Sequence, residues 1–141
     1  MDRRIIAVMF KAEFFIFCRG VSQDAQGESL LETFDTIYFT QLPARQYPFQ
    51  GIARLRASEP VINRTLVARI AVKLGPKTVA EQTLNLEHVM VEKDAAISIR
   101  FDFRELAFTE TGKYVFNLSL DNKLMIASPL LVKSAEDLVE K

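Results

Sequence analysis

The stretch "ISIRFDF" (97–103) alternates without a break. Ile97, Ile99, Phe101 and Phe103 fall on one side of an extended chain, and Ser98, Arg100 and Asp102 on the other. A period of two is the signature of a strand with one face in a core and one in water. The same alternation recurs on both sides of it. In "FQGIARLRA" (49–57), Ala53, Leu55 and Ala57 oppose Arg54 and Arg56. In "TLVARIAVKL" (65–74), Leu66, Ala68, Ile70, Val72 and Leu74 oppose Arg69 and Lys73. "KYVFNLSL" (113–120) sets Tyr114, Phe116, Leu118 and Leu120 against Asn117 and Ser119.

The segments between these runs carry turn chemistry. Gly75-Pro76 separates "TLVARIAVKL" from "TVAEQTLNL" (78–86), which predicts a hairpin. Asp121-Asn122 tolerates the left-handed backbone and predicts a two-residue turn into "KLMIASPLLV" (123–132). "QLPARQYP" (41–48) has two prolines, which cannot donate to a ladder, so regular structure breaks there. "EFFIFCR" (13–19) reads as a strand buried on both sides, "VSQDAQGES" (21–29) as a loop and "LLETFDTIYFT" (30–40) as one further strand. "EHVMVEKD" (87–94) fits either a strand end or a short helix. Only "SAEDLVEK" (134–141) has helical character, with Ser134 as N-cap and acids in the first turn.

Eight or nine short strands and almost no helical periodicity predict an all-β chain. The expected architecture is an antiparallel β-sandwich of immunoglobulin-like or similar Greek-key topology with a short C-terminal helix; a β-barrel is the alternative. At 141 residues the chain fits one domain spanning 1–141, able to bury roughly two thirds of its unfolded surface. No repeat or linker divides it.

Composition excludes several kinds of chemistry. Eighteen basic and eighteen acidic residues cancel, so bulk charge gives no reason to expect a nucleic-acid partner. No run reaches the ~20 apolar residues of a membrane helix, and Lys11 and Glu13 interrupt the apolar run that follows the basic start, so no membrane association and a cytoplasmic location are expected. The single cysteine, Cys18, permits no internal disulfide. With one His and one Cys, at 88 and 18, no metal site and no cofactor are expected; Glu92 and Asp94 read as turn residues. The five glycines are isolated, which excludes phosphate-loop and dinucleotide motifs. His88 is the one histidine that could serve as a base, and Cys18 sits in an apolar strand where a thiol is a small hydrophobe, so no catalytic residue is assigned.

What remains is binding. Arg54, Arg56, Arg69, Lys73 and Arg100 fall on outward strand positions and are the candidate anion- or partner-binding residues, because guanidinium forks match phosphate and carboxylate. The competing reading is cross-strand pairing with acids such as Glu81 and Asp102. "TIYFT" is apolar on both faces, with Ile37 and Phe39 opposing Phe34 and Tyr38. One face then fits the core and the other a partner chain. The expected function is a non-catalytic interaction module that binds another protein or itself, as in a homodimer. A small anionic ligand or nucleotide binder is the alternative, and a hydrolase using His88 the third reading.

One further pattern spans most of the chain. An acid-then-apolar strand ends in cysteine (Glu13 to Cys18), and a strand leads into Leu-Pro (Phe34 to Pro43). "LAFTETGKYVFNLSLDNKLMIASPLLV" (106–132) carries Leu106, Phe108 and a G-x-Y-x-F strand at Gly112, Tyr114 and Phe116, and it closes on Pro129 to Val132. In this the chain resembles a family of small bacterial proteins of unknown function predicted to form β-sandwiches. The resemblance implies the fold and supplies no catalytic residues.

Overall fold

The computed structural model describes residues 9–24, 27–40, 44–45, 48–104 and 106–136. They form eleven strands: β1 (Phe10–Asp24), β2 (Gly27–Phe34), β3 (Thr36–Phe39), β4 (Ala44–Arg45), β5 (Phe49–Ala57), β6 (Val61–Leu74), β7 (Lys77–Val91), β8 (Ala96–Phe103), β9 (Ala107–Phe108), β10 (Gly112–Leu120) and β11 (Lys123–Ser134). The first sheet runs β2-β1-β5-β8 and the second β3-β11-β10-β6-β7, while β4 and β9 make a small ribbon. Among the described residues the ladders divide into these sheets and do not close into a barrel.

The alternation of residues 97–103 works out as read. Ile99, Phe101 and Phe103 are buried, and Ser98, Arg100 and Asp102 are exposed. Both sheets turn their apolar faces to one shared core. Phe17 on β1 meets Phe116 on β10 edge-on at 4.7 Å between ring centroids, and Phe103 meets Phe116 at 5.2 Å. Edge-to-face rings add about 0.5–1.5 kcal/mol beyond area burial, which itself contributes roughly 1.5–3 kcal/mol per phenylalanine. Ser128 on β11 donates from Oγ to the Phe15 carbonyl at 3.0 Å, a polar tie between the two layers.

Gly51, at the centre of the first sheet, is required by these rings. It pairs with Phe17 on β1 and Phe101 on β8. A Cβ there would lie 2.6 Å from Phe15 Cε1 and 3.0 Å from Phe103 Cε2, so the aromatic side chains occupy the space a side chain would take.

Both predicted turns form. Gly75 adopts φ 61° ahead of Pro76 and joins Leu74 to Lys77, the Gly-first geometry of a primed hairpin turn. Asp121 and Asn122 adopt φ 46° and 72° between the paired Leu120 and Lys123. The Asp121 carboxylate also accepts from the Val67 N–H at 3.0 Å, fixing the turn against β6.

Four sequence readings need correction. The helix expected at 134–141 is not seen. Ser134 closes β11, and residues 135–136 make a single 3₁₀ turn in which the Glu136 N–H donates to Ser134 Oγ at 3.2 Å; residues 137–141 lie outside the described residues. The parallel pairing of β11 with β3, in which Lys133 lies opposite Tyr38 and Ser134 opposite Phe39, carries the strand through the polar residue that looked like a cap. Second, the segment 21–29 is not a loop, because β1 extends to Asp24 and β2 begins at Gly27. Third, residues 30–40 are two strands rather than one. The chain leaves the first sheet at Phe34 and enters the second at Thr36. Between them, Asp35 accepts from the Thr36 hydroxyl at 2.9 Å through its side chain and from the Leu131 N–H at 2.9 Å through its carbonyl. Finally, β3 pairs with β11 in parallel, so the sheets are not wholly antiparallel.

Candidate functional site

Of the five cationic positions singled out above, Arg54 and Arg56 lie on β5 and Arg100 on its neighbour β8, all on the outer side of the first sheet. Arg69 and Lys73 lie on β6, in the second sheet. The five therefore occupy two sheets and form no common arginine face. A bulge in β1 between Ala12 and Phe14 places Glu13 opposite the β5 arginines. Its carboxylate accepts from Arg54 Nε at 3.0 Å and from Arg56 Nε at 2.6 Å, and Arg56 also donates to the Asp94 carbonyl at 2.7 Å. The hydrogen bond from Arg56, reinforced by its charge and by Arg54, holds the Glu13 carboxyl below the usual carboxylate range. Gln50 Nε2 donates to Asp102 at 2.6 Å beside them. The outward face of the first sheet thus carries these polar pairs together with the buried Cys18 and Ile52, and Gln50 Oε1 is buried there without a hydrogen-bond partner among the described residues.

The second sheet differs. Arg69 pairs with Glu81 on β7 at 2.5 Å, the cross-strand partner the sequence offered. The same sheet also carries, among the described residues, all five exposed large hydrophobic side chains: Tyr38, Ile62, Val67, Met90 and Leu124. They sit on β3, β6, β6, β7 and β11, every one a strand of the second sheet. Ile62 and Met90 are 68% and 69% exposed and adjoin the buried, paired Val61 and Val91. Alternation with inward neighbours points each of the five away from the core.

The β6–β7 hairpin bends next to that apolar pair. Asn63 and His88 both take positive φ, 48° and 56°, and the His88 ring Nδ1 lies 2.8 Å from Asn63 Oδ1. Left-handed backbone is uncommon for residues with a Cβ, though Asn and His are among the more tolerant. Here it coincides with register shifts on both sides of Arg64. His88 is therefore engaged with Asn63 in the second sheet, whereas Cys18 is buried in β1 of the first. Burial pushes the Cys18 thiol up, against formation of the thiolate that nucleophilic chemistry needs. Among the described residues no three His, Cys, Asp or Glu side chains gather as metal ligands.

A cavity of about 590 Å³ opens where the β7 edge of the second sheet faces the end of β8. Its floor includes Ile70, Val72, Phe103 and Tyr114 from the core, and its rim includes Lys77 and Arg104. Tyr114 is fixed by a 2.7 Å hydrogen bond from its hydroxyl to the Glu110 carbonyl. Sequence reading missed three things here: the Glu13 clamp, the exposure of Ile62 and Met90, and this rim. Only the first left a signal, a lone acid heading an apolar strand opposite two spaced arginines.

These features define a nearly all-β chain of two sheets sharing one core, with no helix long and apolar enough to cross a membrane among the described residues. It belongs to a family of unknown function, DUF6941, whose model matches residues 13–133. No curated protein matches it. Among solved structures it is similar to the Pseudomonas fluorescens alkylpurine DNA glycosylase AlkC bound to DNA containing an abasic site analog, with a TM-score of 0.55 at 12% identity. That match covers 89% of this chain and 30% of the glycosylase, so the likeness is one of fold over a minor part of that enzyme.

Proposed function

We propose that the chain is a non-catalytic interaction module that docks another protein, or a second copy of itself, on the outward face of the second sheet. The observation behind this is the segregation of exposed apolar side chains. Ile62, Val67, Met90, Leu124 and Tyr38 share one sheet, while the first sheet's outer face is dressed with ion pairs. Scattered exposed apolar residues are ordinary, but several gathered on one sheet suit an interface. We assign the fold to the immunoglobulin-like sandwiches, as one domain over 1–141. Support comes from the four- and five-stranded sheets, the parallel β3–β11 edge and the Tyr114 corner at the start of β10. A cytoplasmic setting belongs to the same reading and is supported by a lone, buried, free thiol.

The test places a photo-crosslinking amino acid at position 62 or, on the first sheet, at position 98, and combines this with light scattering over a range of concentrations. The expected result is crosslinking, to a partner or between copies, from 62 and not from 98. Equal yields from the two positions, or none from either, would sink the proposal. A monomer at every concentration removes the self-associating version and leaves the heterologous one.

A further inference from the structure

The cavity beside β7 has features that the docking surface does not use, and the geometry points to a second site there, one for a small amphipathic organic acid with an apolar body and a single carboxylate. This inference goes beyond the docking surface and does not depend on it. The volume, about 590 Å³, lies within the roughly 300–1,000 Å³ of small-molecule sites. The floor is apolar: Ile70, Val72, Phe103 and Tyr114 are core residues. The Tyr114 hydroxyl is already bonded to the Glu110 carbonyl, so it needs no partner from a ligand. β8 ends at Phe103, and beyond it Arg104, Leu106 and Thr109 also line the cavity.

Charge decides which ligand fits. Among the described residues, three ionic side chains line the cavity: Lys77, Glu81 and Arg104. Glu81 is neutralised by Arg69. Lys77 and Arg104 are both exposed at the rim, and neither has a carboxylate partner among the described residues. An apolar floor below two cations that have no carboxylate partner among the described residues complements a molecule whose body is greasy and whose one end is anionic. Arg104 can hold a carboxylate through two parallel hydrogen bonds, and Lys77 adds a point charge. Neither residue is among the five strand cations identified from the sequence. They were invisible as a pair because Lys77 follows a turn and Arg104 follows a strand end.

The experiment follows backbone amide shifts of the full chain as decanoate or 2-naphthoate is added, with decanol and 2-naphthol as neutral counterparts. Saturable shifts at Val79, Gln82, Leu106 and Thr109 are expected with the acids. The Lys77→Gln/Arg104→Gln double variant should weaken acid binding at least about tenfold and leave the alcohols within about twofold, since one charged contact carries roughly that factor. Thr109→Trp should block both kinds of ligand by filling the mouth. All three positions are exposed, and an unchanged melting temperature confirms that the variants fold. The inference is overturned if the acids give no saturable shifts, if the shifts map elsewhere, if the alcohols bind as tightly as the acids, or if the double variant binds acids as well as the parent.

Discussion

Replacing Gly51 with alanine tests the central packing of the first sheet. The added methyl would sit 2.6 Å from Phe15 Cε1 and 3.0 Å from Phe103 Cε2, where ordinary carbon contacts lie near 3.5–4 Å. The Phe15 ring must therefore retreat by about 1 Å. It cannot do so freely, because it packs against Phe17 at 5.4 Å and Phe101 at 6.3 Å between centroids. Overpacking of this kind costs about 1–3 kcal/mol, whereas losing a glycine from the unfolded chain returns about 0.4–1 kcal/mol. A net loss of about 1–2 kcal/mol remains. For 141 residues, an unfolding entropy of about 2.1 cal/mol/K per residue makes this a fall of roughly 3–7 °C in Tm. Thermal melts of four proteins decide the matter: the parent, Gly51→Ala, Phe15→Leu and the double variant. With Phe15→Leu the clashing ring atoms are gone, so the alanine should cost at least about 1 kcal/mol less in that background. A Tm that rises with Gly51→Ala, or a cost unchanged by Phe15→Leu, would refute the packing argument.

Phe116→Ala removes the ring that meets Phe17, Phe49 and Phe103 across the layers, and should cost about 3–5 kcal/mol in denaturant titration; a loss under about 1 kcal/mol would mean that the layers are not joined there. Tyr114→Phe deletes the bond to the Glu110 carbonyl and should cost about 0.5–1.5 kcal/mol, with no effect expected if the corner is ornamental. For Glu13, the folded carboxyl titrates below its ordinary value of 4.5, so its stabilising contribution is present above that pH and is lost as pH falls through the folded value. The Tm advantage of the parent over Glu13→Gln should therefore shrink on acidification below about 4.5 and in high salt; a pH-independent difference would contradict the clamp. Cys18 should resist a thiol reagent in the native protein and react at once in denaturant, and rapid native labelling would show that burial does not govern it.

Alternation made the inner strands legible because each has one face in the core: Phe101 and Phe103 against Arg100 and Asp102, Leu66 to Val72 against Arg69. Gly75-Pro76 and Asp121-Asn122 were legible because few residue pairs accept their backbone angles. The sheet change at Asp35 was not, since it depends on hydrogen bonds to Leu131, far along the chain, and local pattern runs straight through it. Nor was the end of the chain: Ser134 suits a helix cap, yet β11 claims it through its ladders. The arginine positions were read correctly as outward-facing, but periodicity says nothing of which sheet a strand joins, and so β6 was not separable from β5 and β8. Glu13 became a double acceptor only through a bulge, an insertion that alternation cannot reveal.

The parallel pairing of β3 with β11 has a consequence for biosynthesis. β3 emerges from the ribosome well before β11, its ladder partner among the described residues. Until then its backbone donors and acceptors, and the ring of Phe39 that belongs beside Phe108, wait without their native neighbours. The nascent polypeptide therefore holds an unclosed, adhesive edge until β11 follows, and this is where a holding chaperone or a premature misassociation would take hold.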